Sequence, residues 1–575
     1  MAFSFGVSEL TLADGTIVRP PLDGMTLFTG PNNSGKSLLL RELLTLLSNY
    51  PGRFEPRHWV RGIEIYKEGS GQEFISWLNG RGYGARLNRA RGQHVLPAHP
   101  DGEESGLEVS EAMREWEASR LSSISYLLVK KFWTETRLGN QTDSAYWDQT
   151  NPPSHPTQRL WESKDLQARF SALFEQAFGE AIAINRYVPS IRLQVGDPGQ
   201  EDCPPPAPPS LREAYESLPF LNQQGDGVRA FSNILLHSFV SPVPIIVIDE
   251  PEAFLHPPQA RLLGRYLALH IPSPCQIFVA THSADFLSGV LEGKTATSSP
   301  ARPLVLVRMS RAGRTSAART LDAETVTEIL DTPLLRYSNI VSGLFHDGVV
   351  LSESEGDCQF YAATFDVVHA DGRHKNLTYL HVNGKARLTE AAQKLRTCGI
   401  PVAVVTDFDF LNDVSNIKKA LRHLGGRWEE VKDDVLNLQA YVQSSVVTRP
   451  AVIIKDNITR IIGSVSGNVL LSQRQIDEIA SELRLANGWK TLKLGGLNAL
   501  SGDPYNAALR LVEYFQNLGL FIVPVGELEC WVREVPGANK KAWLTQVFDG
   551  GSYKSPSLEL RTFVIRISDY LTSPT

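Results

Sequence analysis

Three sets of residues in this sequence have the types and spacing that chemistry needs. Gly30-Pro31-Asn32-Asn33-Ser34-Gly35-Lys36-Ser37 fits the pattern GxxxxGK[ST]. Its glycines let the backbone N–H groups of the turn, through Asn32, Asn33, Ser34 and Gly35, curl around phosphates. Lys36 then reaches the terminal phosphates and the Ser37 hydroxyl can hold Mg²⁺. The second set is Asp249-Glu250, which closes the apolar run Ile245-Ile246-Val247-Ile248. Carboxylates at the carboxyl end of a strand sit where open α/β sheets bind ligands, so Asp249 suits the Mg²⁺ shell and Glu250 suits polarising a water. The third set lies past residue 345, where three apolar runs each finish in acids: Glu353 with Asp357, Asp407 with Asp409, and Glu527 with Glu529. Side by side in a parallel sheet, such strands would gather their acids. Two carboxylates about 4 Å apart repel by roughly 4 kcal/mol at an effective dielectric near 20, so the cluster takes up protons or binds a cation. Hard oxygen ligands favour Mg²⁺ or Mn²⁺, which suit phosphodiester cleavage. A single acid at a strand end is usually just solvated; three in succession are harder to dismiss.

Elements must position these groups. Met25-Thr26-Leu27-Phe28-Thr29 reads as a buried strand running into the glycine loop, and Leu38, Leu39, Leu40, Leu43, Leu44 and Leu47 recur behind it at helical spacing. Strand signals return at Pro244–Ile248 and Gln276–Ala280, continuous runs that suit a parallel sheet buried on both faces. Residues 60–220 are polar and mixed, with a proline-rich stretch at Pro204–Pro209, and read as an insertion. The pattern restarts at Gly348-Val349-Val350-Leu351, and the later strands are expected at Pro401–Thr406 and Phe521–Gly526. Asp407 and Asp409 would share a face if that segment is extended. The expected fold is α/β in two parts, residues 1–345 and 346–575, the second with a helical insertion and a C-terminal extension.

At 575 residues the chain has room for about three or four structural units. Lys+Arg 57 against Asp+Glu 63 leaves a net charge of −6, so any nucleic-acid surface must be local. The five cysteines show no CxxC pair, which argues against a zinc ribbon or a disulfide scaffold and fits a reducing compartment. No apolar run approaches the roughly 20 residues of a membrane span and the amino terminus shows no signal peptide, so a cytoplasmic protein without a membrane partner is expected.

Asp249-Glu250-Pro251-Glu252-Ala253-Phe254-Leu255-His256-Pro257 looks like the DEPExxLHP stretch of ABC-type ATPase heads. Ala280-Thr281-His282-Ser283 resembles their histidine switch, and Gln223-Gln224-Gly225-Asp226-Gly227-Val228-Arg229 resembles their signature loop without the LSGGQ spelling. The resemblance implies ATP as cofactor, His282 at the γ-phosphate, and Gly225 and Gly227 capping ATP held by a second copy, hence at least a homodimer. Leu351-Ser352-Glu353-Ser354-Glu355-Gly356-Asp357-Cys358-Gln359-Phe360-Tyr361 looks like the Toprim motif LVEGxxDxxFY, with Asp407-Phe408-Asp409 matching its DxD and Gly526-Glu527-Leu528-Glu529 its later acidic motif. Ser354 stands where glycine is usual, and Asn383 replaces the first residue of a common Gly-Gly. An ABC-type P-loop head followed by a Rossmann-like Toprim domain resembles the OLD (overcoming lysogenization defect) nucleases, an architecture shared with the Gabija nuclease subunit and with parts of the PARIS anti-phage system.

That resemblance implies a metal-dependent nuclease in phage defence. Glu353, Asp407 and Asp409 would be catalytic, and Glu353, Asp357, Asp407, Asp409, Glu527 and Glu529 would bind Mg²⁺ or Mn²⁺. A lysine among Lys540, Lys541 and Lys554 would assist. The expected substrate is DNA ahead of RNA, with nucleotide state gating the Toprim site and a second defence protein left open as a partner. Two alternatives stand beside it: an ATPase sensor or scaffold with a degenerate Toprim fold, and a Toprim RNase acting on tRNA. Weaker candidates for nucleic-acid contact are Arg81, Arg86, Arg89 and Arg91 with Tyr83, and Lys418, Lys419, Arg422 and Arg427. Trp59, Trp133 and Trp161 are better read as packing than as base-stacking residues.

Overall fold

The computed structural model describes residues 3–52, 58–80, 84, 86–88, 93–97, 106–139, 142–144, 153, 155–188, 190–204, 206–240, 243–295, 302–312, 315–321, 340–370, 375–382, 384–444, 451–463, 470–483, 488–535 and 539–572. The chain divides into two compact units, Met1–Glu328 and Ile329–Thr575. Arg81, Tyr83, Arg89, Arg91 and Asn383 fall outside the described residues. Among the described residues no helix is long and apolar enough to cross a membrane.

In the first unit, six strands lie in the order Thr315–Leu321, Leu304–Ala312, Gly24–Thr29, Gln276–Ala280, Ile245–Asp249 and Val129–Phe132. All neighbours are parallel except the antiparallel pair at the Thr315–Leu321 edge. The three central strands are buried along their whole length, as their uninterrupted apolar runs require. Helix Lys36–Ser48 lays Leu39, Leu40, Leu43, Leu46 and Leu47 on this sheet, each worth about 1.5–3 kcal/mol of burial; Leu38 stays 39% exposed. Val129–Phe132 falls within the stretch that reads as inserted. Its Val-Lys-Lys-Phe spelling is that of an edge strand, with Lys131 exposed and Phe132 buried, so its apolar signal is short. Val60–Glu68 pairs with Ser4–Leu12 in a separate antiparallel sheet.

In the second unit four strands, Leu377–His381, Gly348–Ser352, Val402–Thr406 and Leu520–Ile522, form a wholly parallel sheet in that order. The chain steps outward from Gly348–Ser352 to Leu377–His381 and then crosses back to Val402–Thr406. The order reverses between Gly348–Ser352 and Val402–Thr406, the place where such sheets open a crevice at their carboxyl ends. The last strand is shorter than the run Phe521–Gly526 suggests, because Pro524 has no N–H to continue the ladder and Gly526 turns at φ 119°. Asp407 and Asp409 are not extended neighbours either: Phe408–Asn412 winds into a 3₁₀ turn, with Asp407 immediately before it.

One buried side chain joins the six-stranded sheet to the sheet that contains Ser4–Leu12. Gln276, wholly buried, accepts from Val7 N at 2.8 Å and donates to Val7 O at 2.8 Å and Pro21 O at 3.2 Å. Gln276→Leu strands the buried amide of Val7. We expect a loss of about 2–4 kcal/mol in unfolding free energy by denaturant titration, since each orphaned group costs about 1–3 kcal/mol; a change under 0.5 kcal/mol would contradict the packing.

Candidate active sites

The first site is a cleft of about 750 Å³ at the carboxyl ends of the central strands, lined among others by Asn32, Asn33, Lys36, Ser37, Glu250 and His282. Sheet register builds it. Asp249 lies level with Ala280 and Ala280 with Phe28, so the glycine loop, the Asp249-Glu250 pair and Thr281-His282 emerge along one edge. The loop turns through left-handed φ at Asn33 (64°) and Gly35 (88°). A Cβ on Gly35 would come within 2.0 Å of the Trp59 ring nitrogen, so Trp59 is packing behind the loop. Lys36 Nζ donates to Gly30 O and Pro31 O, both at 2.8 Å. Burial pulls its pKa down to about 8, against the pull of Glu250, Glu252 and Asp249. Ser37 Oγ donates to Asp249 Oδ1 at 2.8 Å, and burial raises the Asp249 pKa.

His282 Nε2 stands 3.2 Å from Glu250 Oε1. Burial, with Lys36 nearby, lowers the imidazole to about 4, so at neutral pH this is a hydrogen bond and no ion pair. Its Nδ1 is buried without a partner. A glycine loop whose lysine is held within the loop, by Gly30 O, Pro31 O and Ser34 Oγ, fits a polyphosphate. Gly225 and Gly227 are absent from the lining of this cleft. Gly225 caps helix Asp226–Leu235 and is exposed, while a Cβ on Gly227 would lie 2.6 Å from Phe254 O.

Two groups escaped the sequence reading. Glu252 accepts from Thr281 Oγ1 at 3.0 Å and from His282 N at 2.6 Å, tying the histidine segment to the acid turn. Arg137 is 1% exposed and donates to the carbonyls of Glu250 at 2.9 Å and Asp249 at 3.1 Å. It grips the backbone where Glu250 is held at φ 49°, a costly conformation for a residue with a side chain. Behind it, Asn233 of the helix capped by Gly225 donates to Arg137 O at 2.8 Å, and Arg229 reaches Leu138 O. An arginine at a strand end has no local pattern that announces such a role.

The second site occupies the crevice of the four-stranded sheet. Glu353 follows Gly348–Ser352 and accepts from Thr406 Oγ1 of the next strand at 2.9 Å. Lys493 Nζ lies 3.9 Å from Asp407 Oδ2, 3.8 Å from Asp409 Oδ2 and 3.4 Å from Glu527 Oε2. Lys385 pairs with Asp409 and stands 3.7 Å from Glu353. Asp357 takes Ser354 N at 3.0 Å and Ser354 Oγ at 2.9 Å on one oxygen, and Lys540 Nζ at 2.5 Å on the other. Ser354 therefore serves as a helix cap where glycine is usual. Lys493 is held closely: a Cβ on Gly526 would meet Lys493 O at 2.1 Å, and one on Gly496 would meet Pro524 O at 2.0 Å.

Comparison with known proteins places these two sites in context. Residues 25–288 match the AAA_21 family, an AAA domain associated in its description with the AbiEii toxin of type IV TA systems. Residues 344–409 match the TOPRIM domain of overcoming-lysogenization-defect-like proteins. The chain thus joins an AAA_21-type ATPase domain to a TOPRIM domain of the overcoming-lysogenization-defect-like kind. A stretch of 177 residues, 30% of this chain, is 25% identical to the Old nuclease of Escherichia phage P2 and spans 28% of that protein. Solved structures similar to it include the SMC head domain from Thermotoga maritima (13% identity, 56% of this chain, 100% of that one, TM-score 0.27). Another is the Smc head with an extended coiled coil from Pyrococcus furiosus (12%, 57%, 99%, TM-score 0.31).

In the Toprim domain, then, five expected acids are engaged through three lysines: Glu353, Asp357, Asp407, Asp409 and Glu527. Lys540 is the member of the candidate trio that reaches an acid; Lys541 and Lys554 are exposed, Lys554 lying over the Tyr553 ring. Lys385 opens the helix that follows the glycine turn at Gly384, and Lys493 comes from a helix that carries no motif. Among the described residues no three acid, histidine or cysteine side chains already surround one point at metal-ligand distances. The ammonium of Lys493 is nonetheless a cation facing three carboxylates, and all the donors are hard oxygens. This donor set fits a divalent cation that displaces the lysine.

Burial, with Glu353 nearby, lifts Asp407 to about 7; burial also raises Glu353 and Glu527. Burial opposes the charge on Lys493, but Asp409, Asp407 and Glu527 outweigh it and hold its pKa above the usual value. An aspartate released at about 4 in the unfolded chain and near 7 in the fold binds its proton more tightly when folded. Its contribution to stability is full below about pH 4 and disappears as pH rises through about 7. Metal-free protein should therefore lose Tm between about pH 5 and 7.5, and Asp407→Asn should flatten that slope; an unchanged slope in the variant would refute the assignment.

Proposed function

We propose that this protein is an ATP-hydrolysing, metal-dependent nuclease of the OLD type that cuts DNA in anti-phage defence, with nucleotide state gating the Toprim site. The observation that carries the nuclease reading is the meeting of Asp407, Asp409 and Glu527 around the Lys493 ammonium at the switch point of a parallel sheet. Glu353, Asp407, Asp409 and Glu527 would hold Mg²⁺ or Mn²⁺, with Asp357 oriented by Ser354 and Lys540 and Glu529 following on the next turn. Such an ion supplies a water of lowered pKa and charge for the leaving oxygen. Lys385, Lys493 and Lys540 are then free to contact the phosphodiester.

In the ATPase domain, Lys36 and the loop amides would take the phosphates, Ser37 and Asp249 the Mg²⁺, and Glu250 would orient the attacking water beside His282. Exposed Gly225 and half-buried Gly227, away from the cleft of their own chain, support capping of ATP by a second copy and hence a homodimer. Both sites belong to one polypeptide, which motivates the gating.

Supercoiled plasmid and total tRNA incubated with Mg²⁺ or Mn²⁺, with and without ATP, test the reading. We expect plasmid cutting that Asp409→Ala abolishes, and a response to ATP that Lys36→Ala removes. Cutting of tRNA alone moves the substrate to RNA. Gating fails if Lys36→Ala cuts like wild type at every nucleotide condition. A second reading, an ATPase switch whose Toprim fold binds without cutting, draws on the three lysines already paired with the acids; it requires that calorimetry find no Mg²⁺ or Mn²⁺ uptake dependent on Asp407 and Asp409.

Arg137 gives a further expectation. Arg137→Lys keeps the charge but cannot span both carbonyls, so kcat for ATP should fall about 10- to 100-fold with nucleotide affinity within about threefold. A matched fall in affinity, or no change in kcat, would show that the grip does not position Glu250.

A further inference from the structure

A second concavity of about 480 Å³ opens in the Toprim domain, lined by Asn412, Asp413, Val414, Gln439, Gln443 and Trp489. Two separate stretches of chain tie it to the acid cluster. Asn412 and Asp413 follow Asp409 by one 3₁₀ turn. Trp489 precedes Lys493 by four residues on helix Gly488–Gly495, so the two share a face, about 6 Å apart along the axis. Lys493 is the residue that faces Asp407, Asp409 and Glu527.

The pocket is preformed. A Cβ on Gly488 would lie 2.8 Å from Val442 O, so the start of the Trp489 helix sits directly on helix Trp428–Ser444, which supplies Gln439 and Gln443. Asp413 caps helix Val414–Leu424, accepting from Ser415 N at 2.7 Å and Asn416 N at 3.3 Å. Beneath, Phe410 and Leu411 are buried. Gln439 Nε2 donates to Asn412 O at 3.2 Å, which leaves its carbonyl and second N–H to a ligand.

The lining chemistry selects the occupant. An indole and three carboxamides present a flat apolar surface and an edge of mixed donors and acceptors. Among the described residues no lysine or arginine lines the pocket, and Asp413 disfavours an anion. The lining thus disfavours a phosphate, while cations stand on the two helices that lead from it: Lys493 on the Trp489 helix, and exposed Lys418, Lys419 and Arg422 on helix Val414–Leu424. We propose that this pocket receives one unstacked nucleobase of the strand whose phosphate lies at the acid cluster. Trp489 would stack on it, and Asn412, Gln439 and Gln443 would bond its edge. The proposal rests on the nuclease reading for its substrate class and names where that substrate is gripped.

The test separates binding from cutting. Single-stranded DNA and RNA oligonucleotides carrying 2-aminopurine at one position are titrated with full-length Asp409→Asn protein, alone and combined with Trp489→Ala, Trp489→Phe or Gln439→Leu/Gln443→Leu. We expect quenching at one position along the strand, lost with Trp489→Ala and kept with Trp489→Phe, with affinity falling about tenfold in Trp489→Ala and in the double glutamine variant. The DNA and RNA arms identify which strand supplies the base. In parallel, wild-type protein is given substrates with an abasic site scanned past the cut. A defect of about tenfold in kcat/KM at one position supports the pocket; a flat scan together with unchanged affinity in both pocket variants overturns it. Trp489-dependent quenching in a protein that cuts nothing would retain the pocket and reject the nuclease. Should Trp489→Ala not fold, the double glutamine variant decides by the same affinity and quenching readouts.

Discussion

Like charges collected at the ends of parallel strands must be neutralised, and much of the Toprim domain is arranged around that necessity. Five carboxylates arrive from three strands and one helix start because the sheet order reverses between Gly348–Ser352 and Val402–Thr406. Left alone they would repel and take up protons, and burial, with Glu353 nearby, raises the pKa of Asp407 even with the lysines in place. Lys385, Lys493 and Lys540 supply the missing charge from three different helices. Each is placed by backbone packing as well as by attraction: Lys493 by the close approaches at Gly496 and Gly526, Lys540 by a helix capped through Asn539.

The ATPase domain sets a single buried lysine, Lys36, among Asp249, Glu250 and Glu252. Its acids follow one strand, level with the histidine segment of the next, and their backbone is held by groups outside the motifs. Arg137 grips the two carbonyls beneath Asp249 and Glu250, and the same short segment receives Asn233 and Arg229 from the helix that Gly225 begins. The turn that holds Glu250 and the turn at Gly225 are thus joined by a few hydrogen bonds.

Legibility followed locality. The glycine loop, the acid pair and the three acid-tipped strands could be read because each is a contiguous pattern whose chemistry follows from residue type and spacing, and the buried parallel strands announced themselves as unbroken apolar runs. Val129–Phe132 was hidden by two lysines at a sheet edge, and the turn at Asp407–Asp409 by the absence of any local signal distinguishing a 3₁₀ start from a strand end. Arg137, Lys385, Lys493 and Trp489 were illegible for a different reason. Their partners lie tens of residues or more away in sequence, so their importance exists only once the fold has brought those partners near.

The helix that bears Trp489 and Lys493 is fastened at both ends, by Gly488 against Val442 and by Gly496 against Pro524. The chain leaves helix Trp428–Ser444 at Ser444 and returns at Gly488 with its landing point already fixed. Whatever length or composition lies between those residues, the entropy of closing that excursion changes by only about 0.6 kcal/mol per doubling. The domain therefore has a port between Ser444 and Gly488, where added chain length carries a small entropic cost.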